Sequence, residues 1–195
     1  TDGEQIRLTV TGLMGGHSGV EIDKGRANAC RLLGRTLFTL KDSCHFRLLR
    51  LDGGLKDNAI PREATALLLC EDGDGERVIR ELEKVYQNEY RQTDPSICLV
   101  WESTGTKMGQ RAMTQHSTDD VIAALVNLPG GIQRMSFDIP GLVQTSLNLG
   151  ILKADVEVLR AEYSVRSSVE SEKDNLIAKL SALVELTGGD YVVTG

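Results

Sequence analysis

The segment QIRLTVTGLMGGHSGVEIDKGRANA, residues 5–29, determines how the rest of the sequence is interpreted. Its first residues alternate between apolar and polar side chains, which is typical of a strand with one buried face. A glycine-rich loop then surrounds His17, and Asp23 is the expected N-cap of the helix that follows. The apolar residues of that helix are Ala27, Cys30, Leu33, Leu37 and Leu40. The segment therefore predicts a strand, a loop that presents a histidine, and a helix.

Three further strands and one helix complete the first half of the chain. The strands are expected at 45–51, 63–70 and 96–104, and an amphipathic helix is expected at 76–92. The resulting order, β-α-β-β-α-β, is that of a ferredoxin-like unit over residues 1–105. Such a unit forms an antiparallel sheet with two helices on one face.

The second half, residues 106–195, repeats most of this order without repeating its residues. It begins with a loosely patterned linker, and the elements expected after it have the order α-β-β-α-β. They are a helix at 117–128 capped by Ser117 or Thr118, strands at 142–154 and 155–168, a helix at 171–188 and a strand starting at 190. We therefore expect an α+β fold: an antiparallel sheet with helices on one face, a ferredoxin-like first half and a related second half.

The composition is that of an ordinary soluble globular domain. Hydrophobic residues make up 41% and charged residues 26% of the 195 residues, and the net charge is −6. No cluster of lysine and arginine indicates a nucleic-acid partner, and no apolar run is long enough to span a membrane. The four cysteines are scattered without a Cys-x-x-Cys pair, which favours a reducing cytoplasm. Because the chain begins inside a strand pattern without methionine, we expect it to be a piece of a longer protein.

The sequence contains no motif for a self-sufficient catalytic centre. No His-x-x-x-His, His-x-Asp or Cys-x-x-Cys spacing suits a zinc site. No glycine-rich nucleotide loop and no Gly-x-Ser-x-Gly elbow is present. The acidic stretch EDGDGE, residues 71–76, lacks the distal glutamate of a calcium loop and is typical of a solvated turn before a helix. The pattern therefore argues against an autonomous enzyme.

Three polar residues beside predicted turns or strand ends are candidates for a binding site, and each also has an ordinary structural interpretation. His17 is either an exposed or capping histidine or a hydrogen-bond donor to a ligand. Asn58, in GGLKDNAIP, is either a turn residue or an amide donor to a carbonyl or an oxyanion, and spacing alone favours the turn. Arg166, in AEYSVRSS, is either a solvated strand residue or a bidentate clamp for a carboxylate.

Three motifs taken together, TGLMGGHSGVEIDKGRANA, GGLKDNAIPREA and EYSVRSSVESEKDNL, resemble the lid domain of bacterial aminoacyl-histidine dipeptidases. These are cytosolic Xaa-His dipeptidases of the carnosinase type among the dizinc exopeptidases, and the resemblance covers essentially the whole chain. It implies that His17 stabilises the oxyanion and that Asn58 helps to hold the substrate. It also implies that Arg166 binds the terminal carboxylate of the substrate, with Arg160 as the alternative.

The resemblance further implies the cofactors and partners of the chain. Two zinc ions and the general-base glutamate belong to a catalytic domain of the same protein, so the 195-residue chain is expected to hold no metal and to be inactive alone. The expected partners are that catalytic domain, a dipeptide substrate and a second copy in a homodimer, in the cytoplasm. The doubled lid suggests that residues 106–195 imitate the lid of a partner subunit. The competing hypothesis is a stand-alone ferredoxin-like module that binds a small molecule or dimerises.

Overall fold

The computed structural model describes residues 1–194, which form nine strands, four α-helices and one short 3-10 turn at Ile22–Lys24. The strands are β1 (Gly3–Thr11), β2 (Gly16–His17), β3 (Cys44–Gly53), β4 (Ala59–Ile60), β5 (Ala64–Gly73), β6 (Cys98–Lys107), β7 (Gly131–Met135), β8 (Val143–Ala154) and β9 (Leu159–Ser167). The helices are α1 (Ala29–Leu40), α2 (Gly75–Glu89), α3 (Gln115–Asn127) and α4 (Glu170–Leu186).

Seven of the strands form one antiparallel sheet. Their order is β6-β1-β5-β3-β8-β7, and β9 also pairs with β8. The two remaining strands, β2 and β4, form a small antiparallel pair of their own. The predicted α+β class is therefore confirmed, and the first half has the ferredoxin-like order β1-α1-β3-β5-α2-β6 once the short β2 and β4 are set aside.

Strand β8 joins the two halves of the chain. One of its edges is shared, because β3 pairs with residues 152–154 and β7 with residues 143–147. Strand β9 covers the opposite edge along nearly the whole length of β8. Residues 148–151 therefore have no strand partner on the shared edge, and loops of the first half fill this gap.

The hydrophobic core lies between one face of the sheet and the helices. The alternation predicted for β1 is confirmed, since Ile6, Leu8 and Val10 are at most 1% exposed. Helix α1 lies at the centre of the helical layer and contacts both α2 and α3. Helix α4 runs against β9, and its Leu183 packs at the margin of the same core. The helices therefore lie on one face of the sheet, as predicted.

The predicted N-cap of α1 is wrong. Asp23 lies in the 3-10 turn, which ends at Gly25 in the left-handed conformation with φ 66°. Because a left-handed residue cannot continue a right-handed helix, α1 starts only after this point. Its N-cap is Asn28, whose side-chain oxygen accepts hydrogen bonds from the backbone N–H groups of Cys30 and Arg31.

The second half differs from the expected element order. Strand β7 is absent from the prediction, because its sequence GIQRM is short, largely exposed and carries no apolar alternation. Residues 189–194 are not in a strand, so the order is α-β-β-β-α; Gly195, the end of the predicted strand, lies outside the described residues. Helix α3 is capped by Thr114 rather than by Ser117 or Thr118. None of the described helices is long and apolar enough to cross a membrane.

Candidate functional site

The candidate site is built around the loop that joins β1 to α1. One buried carboxylate fixes both ends of this loop. Asp94 accepts hydrogen bonds from the backbone N–H of Met14 at 2.8 Å and from that of Ala27 at 2.9 Å. Asp94 is 0% exposed. The loop is thus closed at its base, with His17 at the far side.

A second set of contacts lies inside the loop. Glu21 accepts a hydrogen bond from the backbone N–H of His17 at 2.8 Å and pairs with Arg26 at 3.0 Å, and Arg26 also donates to the carbonyl of Gly15. The pKa of the Glu21 carboxyl lies below its ordinary value, mainly because the carboxylate accepts the hydrogen bond from the N–H of His17. Burial raises this pKa, and the charge of Arg26 lowers it further. Gly15 and Gly16 have φ of 65° and 147°, which L side chains rarely adopt, so this bend requires glycine.

The imidazole of His17 is exposed and is oriented by its own loop. The backbone N–H of Gly19 donates to the Nδ1 of His17 at 3.0 Å. Because a ring nitrogen that accepts a hydrogen bond carries no proton, the neutral ring is protonated on Nε2. Within residues 1–194 no group hydrogen-bonds to Nε2. The loop therefore presents an Nε2–H donor that is available to a ligand.

Arg166 comes from the second half of the chain and lies beside His17. On β9 it pairs with Ser146, on the face opposite to the core. A Cβ placed on Gly19 would lie 2.9 Å from the Cζ of Arg166 and 2.9 Å from the Cε1 of His17. The guanidinium and the imidazole thus flank the same glycine. Arg166 is exposed and makes no ion pair or hydrogen bond with the residues that the structure describes.

Asn58 is held next to His17 by backbone pairing. Strands β2 and β4 pair His17 with Ala59. The carbonyl of Asn58 accepts hydrogen bonds from the N–H of Ser18 at 2.9 Å and from its hydroxyl at 3.1 Å. The side-chain amide of Asn58 has no hydrogen-bond partner in the described part of the chain. The three residues predicted from separate motifs are therefore grouped at one end of the sheet.

A buried asparagine of β8 holds the loop that carries Asn58. The side-chain amide of Asn148 donates to the carbonyls of Asp57 at 3.0 Å and Ala59 at 2.9 Å. Its oxygen accepts a hydrogen bond from Asn28 at 3.3 Å, and Asn28 also donates to the carbonyl of Leu149 at 2.9 Å. These contacts fill the gap on β8 and tie the cap of α1 to the loop that carries Asn58.

One predicted residue lies away from this group, and two residues that support it were not predicted. Arg160 lies at the far end of β9 and pairs with Glu162 at 2.9 Å, away from His17. Sequence reasoning missed both Asp94 and Asn148. Asp94 precedes a proline in a polar turn, which gives no sign of burial, and Asn148 occupies a strand position that alternation assigns to a solvated face.

The group of His17, Asn58 and Arg166 coincides neither with a metal-ligand set nor with either of two cavities of the described structure. The described residues contain no set of three or more His, Cys, Asp or Glu side chains that could hold a metal ion, so the zinc implied by the resemblance has no ligand set among residues 1–194. Two cavities of about 360 and 300 Å³ lie at the opposite end of β3, around Cys44. Neither is lined by His17, Asn58 or Arg166. His17 and Arg166 are instead exposed at the surface, and Asn58 is half-buried beside them.

The first half of the chain is similar to a known family of domains. Residues 8–94 match the family of the peptidase dimerisation domain. The matched segment begins in β1 and ends at Asp94, so it includes the loop of His17, Asn58 and the buried carboxylate.

Over nearly its whole length the chain is homologous to dipeptidases, which confirms the resemblance. It is 34% identical over 196 residues to the cytosol non-specific dipeptidase of Escherichia coli (strain K12), in an alignment that covers 98% of the chain and 40% of that protein. Its fold is similar to the crystal structure of aminoacylhistidine dipeptidase from Vibrio alginolyticus. There the TM-score is 0.84 with 29% identity, over 95% of this chain and 38% of the other. The chain spans less than half the length of either relative.

Proposed function

We propose that the chain is the lid of a metallo-dipeptidase, which closes over the substrate and supplies hydrogen-bond donors to it. The observation that carries this proposal is the grouping of His17, Asn58 and Arg166. Each presents a donor that no described residue occupies, and the set suits a ligand with a carbonyl oxygen and a carboxylate. A dipeptide has both groups. The homology to dipeptidases supports the same class of substrate.

In this proposal His17 stabilises the oxyanion that forms when the scissile carbonyl is attacked. The Nε2–H of the neutral ring is the donor, and the hydrogen bond from Gly19 to Nδ1 keeps the proton on Nε2. The contacts of Glu21 and Arg26 fix the loop before substrate binds, so the donor needs little reorganisation during the reaction.

Arg166 binds the terminal carboxylate of the substrate, and Asn58 holds the peptide between them. A guanidinium gives a carboxylate two parallel hydrogen bonds, which fix its orientation as well as its position. We assign this role to Arg166 because Arg160 is paired with Glu162 and lies at the far end of the strand. The carboxylate clamp therefore comes from the second half of the chain and the oxyanion donor from the first.

The rest of the enzyme is proposed from homology. Two zinc ions are bound by a catalytic domain of the full-length protein, since the described residues offer no ligand set for them. The isolated 195-residue chain is then inactive. We propose a cytoplasmic homodimer, because the relative from Escherichia coli is named a cytosol enzyme and residues 8–94 match a dimerisation domain.

The test is made in the full-length protein with the variants His17→Ala and Arg166→Ala, assayed with a Xaa-His dipeptide in the presence of zinc. We expect His17→Ala to lower kcat by about 10²–10³-fold, the usual effect of removing one oxyanion donor. Arg166→Ala should raise KM by about 10–100-fold, because a charged hydrogen-bond pair is lost.

The matched controls are His116→Ala and Arg160→Ala. Both side chains are highly exposed and pair only with surface carboxylates, so these variants should keep the wild-type constants. An unchanged kcat in His17→Ala, or a metal-independent peptidase activity of the 195-residue chain, would overturn the proposal.

The preference for Xaa-His dipeptides is the narrower part of the proposal. One relative is named for aminoacylhistidine and the other is named non-specific. Because a carboxylate clamp accepts any dipeptide, kcat/KM must be compared across dipeptides that differ only in the C-terminal residue. We expect the largest value for histidine, and equal values across the panel would remove this preference.

The alternative is that the domain serves for dimerisation and makes no contact with the substrate, and the description of the family supports the dimerisation part of it. It predicts that His17→Ala leaves the activity of the full-length protein unchanged.

A further inference from the structure

We infer that Asp94 is the positioning residue of the His17 loop. Its carboxylate holds the two ends of the loop together, so that the Nε2–H of His17 is aimed at the bound substrate. The inference rests on the function proposed above for His17, and it adds a residue that lies outside all three sequence motifs.

The first step is the geometry at the base of the loop. Both carboxylate oxygens of Asp94 are used, one by the N–H of Met14 and the other by the N–H of Ala27. Those two residues bracket the loop on its two sides. Asp94 forms no ion pair within residues 1–194, and it is fully buried. Without Asp94 the N–H of the buried Ala27 would have no partner, and the part-buried N–H of Met14 would lose its own.

The second step is that Asp94 itself is firmly held. Its N–H donates to the carbonyl of Tyr90 at 2.8 Å, and its carbonyl accepts from the N–H of Ile97 at 3.2 Å. The same turn packs directly on the end of β1, since a Cβ on Gly12 would lie 1.9 Å from the carbonyl oxygen of Ser96. The loop is thus anchored on a rigid turn after α2.

The third step concerns what else could orient His17. Its ring is exposed, so packing does not fix it. The contacts of Glu21 and Arg26 act only within the loop and move with it. The pairing of β2 with β4 and the hydrogen bonds from Ser18 to Asn58 hold the middle of the loop to a neighbouring loop, whereas Asp94 holds its two ends to the turn after α2. A shift of about 1 Å in a catalytic group lowers a rate by about 10²-fold, so the loss of this anchor should appear in kcat.

The experiment compares Asp94→Asn with Glu83→Gln in the full-length protein. Asp94→Asn keeps the size of the side chain but sets an amide N–H₂ against one of the two backbone N–H groups. Glu83 is a matched control, because its carboxylate also accepts a backbone hydrogen bond, from Leu99 at 2.7 Å, but lies outside the loop. We expect Asp94→Asn to lower kcat by about 10–100-fold with KM little changed. Glu83→Gln should leave kcat unchanged.

The dependence on His17 is tested in a double variant. If Asp94 acts through His17, Asp94→Asn has no further effect on kcat when His17 is already alanine. An equal decrease of kcat in both backgrounds would overturn the inference.

A readout independent of catalysis is the imidazole spectrum of the protein labelled with ¹⁵N-histidine, in which His17→Ala identifies the His17 signals. We expect the wild type to show the Nε2–H tautomer, and Asp94→Asn, but not Glu83→Gln, to shift these signals. An unchanged His17 signal in Asp94→Asn would refute the role of Asp94 and leave the proposed function intact. A fully active His17→Ala would refute the proposed function. Asp94→Ser serves as a second variant. Loss of a cooperative thermal transition in both would assign Asp94 to fold stability and overturn the inference.

Discussion

Gly19 is the residue at which the two halves of the chain meet in the candidate site. Its N–H orients the ring of His17, and its missing side chain leaves the space that the His17 and Arg166 groups flank. The backbone of Gly19 is not in the left-handed region, so glycine is required there for space rather than for conformation. The candidate site therefore requires a residue without a Cβ at position 19.

This argument predicts the effect of Gly19→Ala. The new Cβ would lie 2.9 Å from both Arg166 and His17, a separation that real Cβ atoms essentially never show, so both side chains must move. Because these are the ends of exposed side chains, the thermal unfolding midpoint should not change. In the full-length protein kcat/KM should fall by about 10-fold or more. Val20→Ala, in the same loop and 73% exposed in the wild type, is the control, and a fully active Gly19→Ala would contradict the prediction.

At the scale of elements, β8 determines where the candidate site lies. Its shared edge leaves residues 148–151 open between β3 and β7. The cap of α1 and the loop of Asn58 enter this opening. There the side chains of Asn28 and Asn148 donate hydrogen bonds to carbonyls of the strand and of the loop that have no strand partner. The two loops that carry His17 and Asn58 are thus positioned by one strand of the other half.

Asn148→Asp tests this element. The change replaces a donor of two hydrogen bonds by a carboxylate that faces the carbonyls of Asp57 and Ala59, in a site that is 3% exposed. We expect a loss of about 3 kcal/mol in the free energy of unfolding, measured by denaturant titration. Asn127→Asp is the control, because Asn127 also donates to a backbone carbonyl but is exposed on α3. Equal losses in the two variants would show that burial in the gap of β8 has no special effect.

The elements also show how much of the fold is predictable from the sequence. The strands and helices of the first half are predicted to within a few residues, because hydrophobic periodicity is local. The cap of α1 and the anchor of the loop are missed for the opposite reason. Asn28 contacts a carbonyl 121 positions away, and Asp94 binds an N–H 67 positions away. Of the candidate site, the motifs predict the three residues whose side-chain donors have no partner within residues 1–194. The buried groups that orient them act across the fold and leave no local pattern.

At the scale of the whole molecule, the second half contributes to the site instead of forming one of its own. Strand β8 pairs with β3 over residues 51–53, at an edge where the first half alone would present an unpaired strand to another chain. It also carries β9 alongside, which places Arg166 next to His17. The second half thus covers residues 51–53 at the edge of β3 and supplies a side chain to the candidate site.

This arrangement predicts that the lid serves the catalytic domain of its own chain. Full-length His17→Ala is mixed with a variant inactivated at a metal ligand outside these 195 residues, under conditions in which subunits exchange. If each site is completed within one chain, no mixed dimer contains an intact site and activity does not return. A lid that closes over the other subunit would instead join an intact lid to an intact catalytic domain and restore activity. The control is a mixture of His17→Ala with Arg166→Ala. This mixture should show no activity beyond that of the two variants assayed separately, in either arrangement, because every lid in it carries one of the two changes and both lie on the same surface.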